Sequence, residues 1–272
     1  MKLLIENIEK TFYLPDKTSV PVLKNIQIPV EQGEFVMILG ESGCGKSTLL
    51  NIIAGIEAPT SGRIQVDDKI VTRPDPEISL LFQQPSLLPW LNVFENIAFG
   101  CKLRGDTRDL DDRIQYFIEL IGLEGFEKNY PSELSMGMAC RVSLARALIG
   151  HPKVILMDEP FVSLDTFTRT RMQQELIKLW KYEQFTTIFV THDVDEAIVL
   201  GSKVVLLGGK PCSVSKIVDV SIPYPRKITD RRLSLKRIHI MMQLEKIYQI
   251  NRANHHQSIE EGYDQFVRYK QT

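Results

Sequence analysis

The chain holds 272 residues, 43% of them hydrophobic and 25% charged, proportions that exclude a collagen-like, coiled-coil or disordered protein. Lys and Arg number 33 against 34 Asp and Glu, a net charge of −1, so no overall field draws the protein to nucleic acid. Four cysteines, Cys44, Cys101, Cys140 and Cys212, show neither zinc spacing nor the density of a disulfide scaffold, which fits a reducing compartment.

In chain order, residues 1–10 alternate apolar and charged side chains, and no secretory leader is expected there. Leu3 to Ile8 and Val22 to Val30 read as strands of a small antiparallel layer. Phe35 to Leu39 is five apolar residues followed by glycine, the pattern of a strand covered on both faces and the first of a parallel sheet. From Gln84 to Pro152 the period becomes helical, with Ile114, Phe117, Ile118 and Ile121 on one face and Met138, Val142, Ala145 and Ile149 on another. Two further buried strands are expected at Val154 to Met157 and Thr187 to Val190, joined by a helix through Met172, Leu176, Leu179 and Trp180, a right-handed crossover. The longest apolar runs, such as Val204 to Leu207, fall far short of the roughly 20 residues a membrane helix needs. After Pro223 the chain turns basic, with ten Lys and Arg against five Asp and Glu from Tyr224 to the end. Ile238, Met241, Met242, Leu244, Ile247 and Tyr248 there suggest an amphipathic helix, to be packed on the rest of the protein or laid on a lipid surface or regulatory partner.

Gly40, Glu41, Ser42, Gly43, Cys44, Gly45, Lys46 and Ser47 fit the pattern of glycine, four residues, glycine, lysine and hydroxyl. The loop follows a buried strand and opens a helix from Thr48, so backbone N–H groups and the helix dipole converge where a polyphosphate would sit. Lys46 would reach the β- and γ-phosphates and the Ser47 hydroxyl would ligate Mg²⁺. Asp158 and Glu159 end the next buried strand, where open α/β sheets bind ligands. Asp158 suits Mg²⁺ and Glu159 can take a proton from an attacking water. Those two motifs define a P-loop nucleotide hydrolase or kinase and no more.

Leu134, Ser135, Met136, Gly137 and Met138, followed by Arg141 and by Ala145, Arg146 and Ala147, resemble the signature of ATP-binding cassette (ABC) ATPases. With Gln83, with Ser163, Leu164 and Asp165, and with His192, the motifs stand in that family's order over residues 1–223. Leu87 to Trp90 and Pro223 to Arg226 are most similar to the branch that imports nitrate, sulfonates, taurine or bicarbonate. The resemblance implies a RecA-like P-loop NTPase core of α/β class, an antiparallel β subdomain and an α-helical subdomain inset at about 84–152; the basic stretch 224–272 lies outside it and is expected to be a separate helical extension. It further implies ATP hydrolysis with Mg²⁺ on Ser47, Gln83 and Asp158, Glu159 as base, His192 at the γ-phosphate, and Phe12 stacked on adenine with Tyr13 as its rival. Ser135, Gly137 and Met138 would cap ATP held by a second ATPase subunit, with Asp165 at the dimer contact. The implied partners are transmembrane permease subunits at the cytoplasmic face of the cell membrane and, indirectly, an extracytoplasmic solute-binding protein. A soluble ABC ATPase of DNA repair or translation is the alternative; such proteins usually carry a coiled-coil insertion or two cassettes, for which this chain has no room.

The signature departs from the family in carrying Met136 where a first glycine is usual. If that position needs φ > 0, methionine costs on the order of 1 kcal/mol and displaces the capping N–H groups, which predicts an asymmetric pair with one weak site. The other histidines, His151, His239, His255 and His256, lack a metal-ligand arrangement and read as surface.

Overall fold

The computed structural model describes residues 2–250. A smaller antiparallel sheet runs in the order β2 (Ser19–Glu31), β1 (Lys2–Tyr13), β4 (Ser61–Val66), β5 (Lys69–Ile70). Leu3 lies opposite Val30 and Ile5 opposite Ile28, so the alternation of both strands places one apolar face inward.

The larger sheet runs β10 (Ser213–Asp219), β9 (Lys203–Gly208), β3 (Phe35–Leu39), β8 (Thr186–Thr191), β7 (Val154–Asp158), β6 (Ile78–Leu81). It is parallel except for β10. Every residue of β3 is buried because both faces are covered, as its unbroken apolar run requires. Phe35, Met37 and Leu39 face one core with Met157, Phe189 and Leu206. Val36 and Ile38 face the other, against Leu49, Leu50, Ile52 and Ile53 of α1 (Lys46–Ile53) and the inner face of the small sheet.

Helices α2 (Val93–Arg104), α3 (Leu110–Leu120) and α4 (Met136–Leu148) lie between β6 and β7, all supplying residues to the first core. An Asn92/Glu95 capping box starts α2, and Gly105 at φ 72 ends it. Helices α5 (Thr166–Glu183) and α6 (Val194–Leu200) follow β7 and β8. A last helix, α7, spans 231–250 and seats Leu233, Ile240 and Leu244 in the core. Ile238, Met241 and Met242, read from the sequence as part of the same apolar face, are exposed, while Leu233, Ile240 and Leu244 are buried. The rest of the basic extension, with His255 and His256, lies outside the described residues.

Candidate nucleotide site

Strand register sets the site. Leu39 of β3 lies opposite Thr191 of β8, Asp158 of β7 opposite Val190 of β8, and Met157 of β7 opposite Leu81 of β6. Gly40, His192, Asp158 with Glu159, and Gln83 therefore emerge along one carboxyl edge of four adjacent parallel strands.

At that edge the phosphate loop wraps through two left-handed residues, Gly43 at φ 77 and Gly45 at φ 108. Gly45 is doubly constrained, because a Cβ there would fall 2.8 Å from Val22 Cγ1 and 2.9 Å from Leu23 Cδ2. Such a turn leading into a helix makes a concave array of N–H donors for an anion. Lys46, the first residue of α1, is buried and donates from Nζ to the carbonyls of Gly40 and Glu41, both at 2.9 Å. Its ammonium is thus held across the mouth of the loop. Ser42 and Ser47 are exposed, Thr48 is half-buried and Cys44 is buried.

Glu159 sits in the left-handed region at φ 47, a conformation costing a non-glycine residue of order 1 kcal/mol, and its N–H donates to Val190 O at 3.0 Å. Its Oε2 lies 2.9 Å from His192 Nδ1, so the expected base and the histidine expected at the γ-phosphate are in contact. Beneath His192, the Thr191 hydroxyl donates to Glu196 Oε2 at 2.6 Å, Gln173 Nε2 donates to Glu196 Oε1 at 3.1 Å, and Asp193 N–H donates to the Thr191 hydroxyl. Burial pushes the Glu196 carboxyl up from its ordinary range. Arg169 donates to the carbonyls of Phe161, Val162 and Leu164, fixing the turn between Glu159 and Asp165. Sequence reasoning missed Gln173, Glu196 and Arg169; their signal is a polar residue beside apolar core positions of α5 and α6.

Gln83 is exposed just past β6, and Arg146 of α4 anchors the next turn through the carbonyls of Pro85 and Ser86, both at 3.1 Å. Asn96, fully buried, holds the following loop by accepting from Leu88 N–H and donating to the carbonyls of Leu88, Leu91 and Asn92. Trp90, at the tip of that loop, is 70% exposed. Phe12 pairs with Val20, two residues before the Val22 that abuts Gly45; it is 38% exposed, with Lys10 Nζ 4.7 Å from its ring centroid, against 71% for Tyr13. His151 lies 3.5 Å from a Glu183 oxygen, and both His151 and His239 are exposed.

Ser135, Gly137 and Met138 stand apart from this edge. Ser135 is the N-cap of α4, its Oγ accepting from Met138 N–H at 3.3 Å. Met136 is the first helical residue and has no positive φ, which corrects the expectation of strain there: a helix N1 position takes any L-residue. The asymmetric pair loses its physical basis. Gly137 is needed for space instead, because a Cβ would fall 2.9 Å from Thr168 Cγ2 of α5. Met138 is half-buried against the core. Asp165 caps α5, accepting from the N–H groups of Phe167 at 3.0 Å and Thr168 at 3.1 Å, and bonds from Thr168 hold its carboxyl below the usual range. Ser135, Gly137, Asp165 and Thr168 line one cleft of about 500 Å³, and no residue of the phosphate loop does. Within one chain the donors of the signature and those of the phosphate loop are separate.

A glycine-rich loop with its lysine held across it, beside a carboxylate pair at the carboxyl edge of a parallel sheet, defines a P-loop nucleoside-triphosphate site. The chain belongs to the ABC transporter family, whose profile matches residues 23–162. It is 42% identical over 246 residues to the aliphatic sulfonates import ATP-binding protein of Bacillus cereus, covering 90% of this chain and 97% of that one. It is 43% identical over 224 residues to the nitrate import ATP-binding protein of Synechocystis sp., covering 82% of this chain and 84% of that one. Among solved structures, a dimeric post-hydrolysis ATP-binding cassette bound to ADP and Pi superposes with a TM-score of 0.71 at 30% identity, over 81% of this chain and all of that one. The fold is the RecA-like core of ABC ATPases, and the chain is an ATP-binding subunit of the importer branch. Among the described residues no helix is long and apolar enough to cross a membrane.

Proposed function

We propose that this subunit hydrolyses ATP between its own phosphate loop and the signature of a second copy, to drive import of a small anion of the sulfonate or nitrate type. The observation that carries the reading is the contact of Glu159 with His192 at the carboxyl edge that also bears Asp158 and Lys46. Loop N–H groups and Lys46 bind the phosphates and stabilise charge on the transferring phosphoryl group. Glu159 orients a water in line and takes its proton at Oε2; His192, bonded to that oxygen, fixes the carboxylate and reaches the γ-phosphate. Ser47, Gln83 and Asp158 offer only oxygen donors at this edge, a set that fits Mg²⁺. These residues would hold the ion, which supplies charge neutralisation between the phosphates. Phe12 stacks on adenine, its partly exposed face being available for a base.

Because Ser135 and the first turn of α4 face a cleft that the loop does not enter, they serve ATP on the second copy, as helix N-termini serve anions. Asp165, beside them, lies at the junction of the two copies. Closure moves the helices between β6 and β7, and the loop pinned by Asn96, with Trp90 exposed at its tip, passes that motion to permease subunits at the cytoplasmic face of the membrane. An extracytoplasmic solute-binding protein would deliver the anion to the permease. The test is Glu159→Gln: ATP retention stays at the wild-type level and turnover falls by about 10² to 10⁴. Unchanged hydrolysis refutes the assignment.

A further inference from the structure

Cys44, inside the phosphate loop, and Cys212, in the turn between β9 and β10, are far apart in the chain and meet in the fold. Both thiols are buried in the same core cluster, close enough that each shifts the titration of the other. Cys212 is placed from the strand side: its N–H donates to Val22 O and its carbonyl accepts from Lys24 N–H, both at 2.8 Å, so it bridges Leu23. Cys44 is placed from the loop side, over Gly40, where a Cβ would fall 3.0 Å from its Sγ. Val22 and Leu23 pack on Gly45 at the next turn of the loop. The pair is therefore locked between the phosphate loop and the edge it rests on.

We propose that Cys44 and Cys212 form a reversible disulfide that lowers the loop's affinity for nucleotide, a redox-controlled modification site. This rests on the reading that the loop binds ATP. The oxidant by class is a hydroperoxide, small enough to reach Cys44, a residue 8% exposed. Cys44 is the attacking sulfur: its thiol is pulled down first by the hydrogen bond from Cys212 and then by Lys46, against burial. Cys212 is pushed up by the same pairing and by burial. Cys44 Sγ attacks a peroxide oxygen; the S–O bond forms, the O–O bond breaks, and the departing hydroxide takes the Cys44 proton to leave as water. Cys212 Sγ then attacks Cys44 Sγ; the S–S bond forms, the S–O bond breaks, and the second hydroxide leaves as water with the Cys212 proton. Two thiols lose two electrons and two protons, and hydrogen peroxide becomes two waters. A disulfide requires sulfurs at about 2.05 Å, closer than two unbonded thiols approach, so the loop is drawn toward Cys212 and its N–H array deforms. Burial pushes the Cys140 thiol up to about 11 and also raises Cys101, so neither competes as a nucleophile.

The full chain is treated with dilute hydrogen peroxide, mapped by non-reducing peptide mass spectrometry, and assayed for Mg²⁺·ATP binding before and after dithiothreitol. The expected product is one peptide pair joining Cys44 to Cys212, lighter by two hydrogens. Nucleotide affinity falls at least about tenfold, as for loss of one charge-assisted hydrogen bond, and dithiothreitol restores both. Cys212→Ser binds nucleotide normally and shows neither the linkage nor the reversible loss. Oxidation of Cys44 without the linkage, or the linkage without loss of affinity, overturns the proposal. Failure of the untreated chain to bind ATP sinks the functional reading instead, and the peptide map still reports on the disulfide.

Discussion

Gly137→Ala probes the start of α4 where the packing is tightest. The added methyl would sit 2.9 Å from Thr168 Cγ2, and Thr168, β-branched and in the first turn of α5, has few rotamers with which to withdraw. Overpacking of this kind costs about 1 to 3 kcal/mol, whereas replacing glycine by alanine in a helix otherwise gains about 0.5 to 1 kcal/mol. At the middle of both ranges the clash outweighs the propensity, and Gly137→Ala alone destabilises the protein by about 1 kcal/mol, and by at most about 2.5 kcal/mol. Thr168→Ser deletes the offending methyl, keeps a hydroxyl there and leaves the backbone N–H that donates to Asp165 in place. In that background Gly137→Ala becomes neutral or stabilising, a coupling of at least about 1 kcal/mol between the two sites. Guanidinium denaturation midpoints of the four proteins measure it. An identical effect of Gly137→Ala in both backgrounds, within about 0.5 kcal/mol, refutes the packing argument.

Arg169→Ala removes the donors that hold the carbonyls of Phe161, Val162 and Leu164, so turnover falls while ATP binding persists; Arg169→Lys does not rescue it, because one ammonium cannot reproduce the guanidinium fork. Steady-state rates beside equilibrium nucleotide binding distinguish these outcomes. Glu196 gives the protein a pH signature: its carboxyl is raised by burial, so its contribution to stability is complete below the unfolded value of about 4.3 and is lost as pH rises through the higher folded value. Glu196→Gln, which keeps an acceptor for Thr191, flattens that part of the stability profile in denaturation curves taken across the acidic range, and an unchanged slope contradicts the assignment.

Legibility in the sequence follows from how local each cause is. Phe35 to Leu39 forms a strand over the range its unbroken apolar run marks, and the turn-forming glycines of the loop at 40–47 are legible because its two left-handed positions admit little but glycine. Val154 and Thr187 begin runs that are β7 and β8 to within a residue. Met136 misled because a glycine's absence was read as backbone strain, whereas the backbone there is ordinary helix and the constrained glycine is the next one, pressed on Thr168 of a distant element. Ile238, Met241 and Met242 misled because periodicity marks an apolar face without saying what covers it. Arg169 and the Cys44–Cys212 pair were invisible for a related reason: their partners are main-chain carbonyls and a thiol brought near only by the closed sheet.

The central claim is that a bound ATP is shared by two copies of this chain. Light scattering of the Glu159→Gln protein, titrated with ATP in Mg²⁺, tests it most directly. The account predicts conversion from monomer to a dimer holding one ATP per chain, abolished by placing Arg at Ser135 without loss of ATP binding. A protein that saturates with ATP and stays monomeric contradicts it.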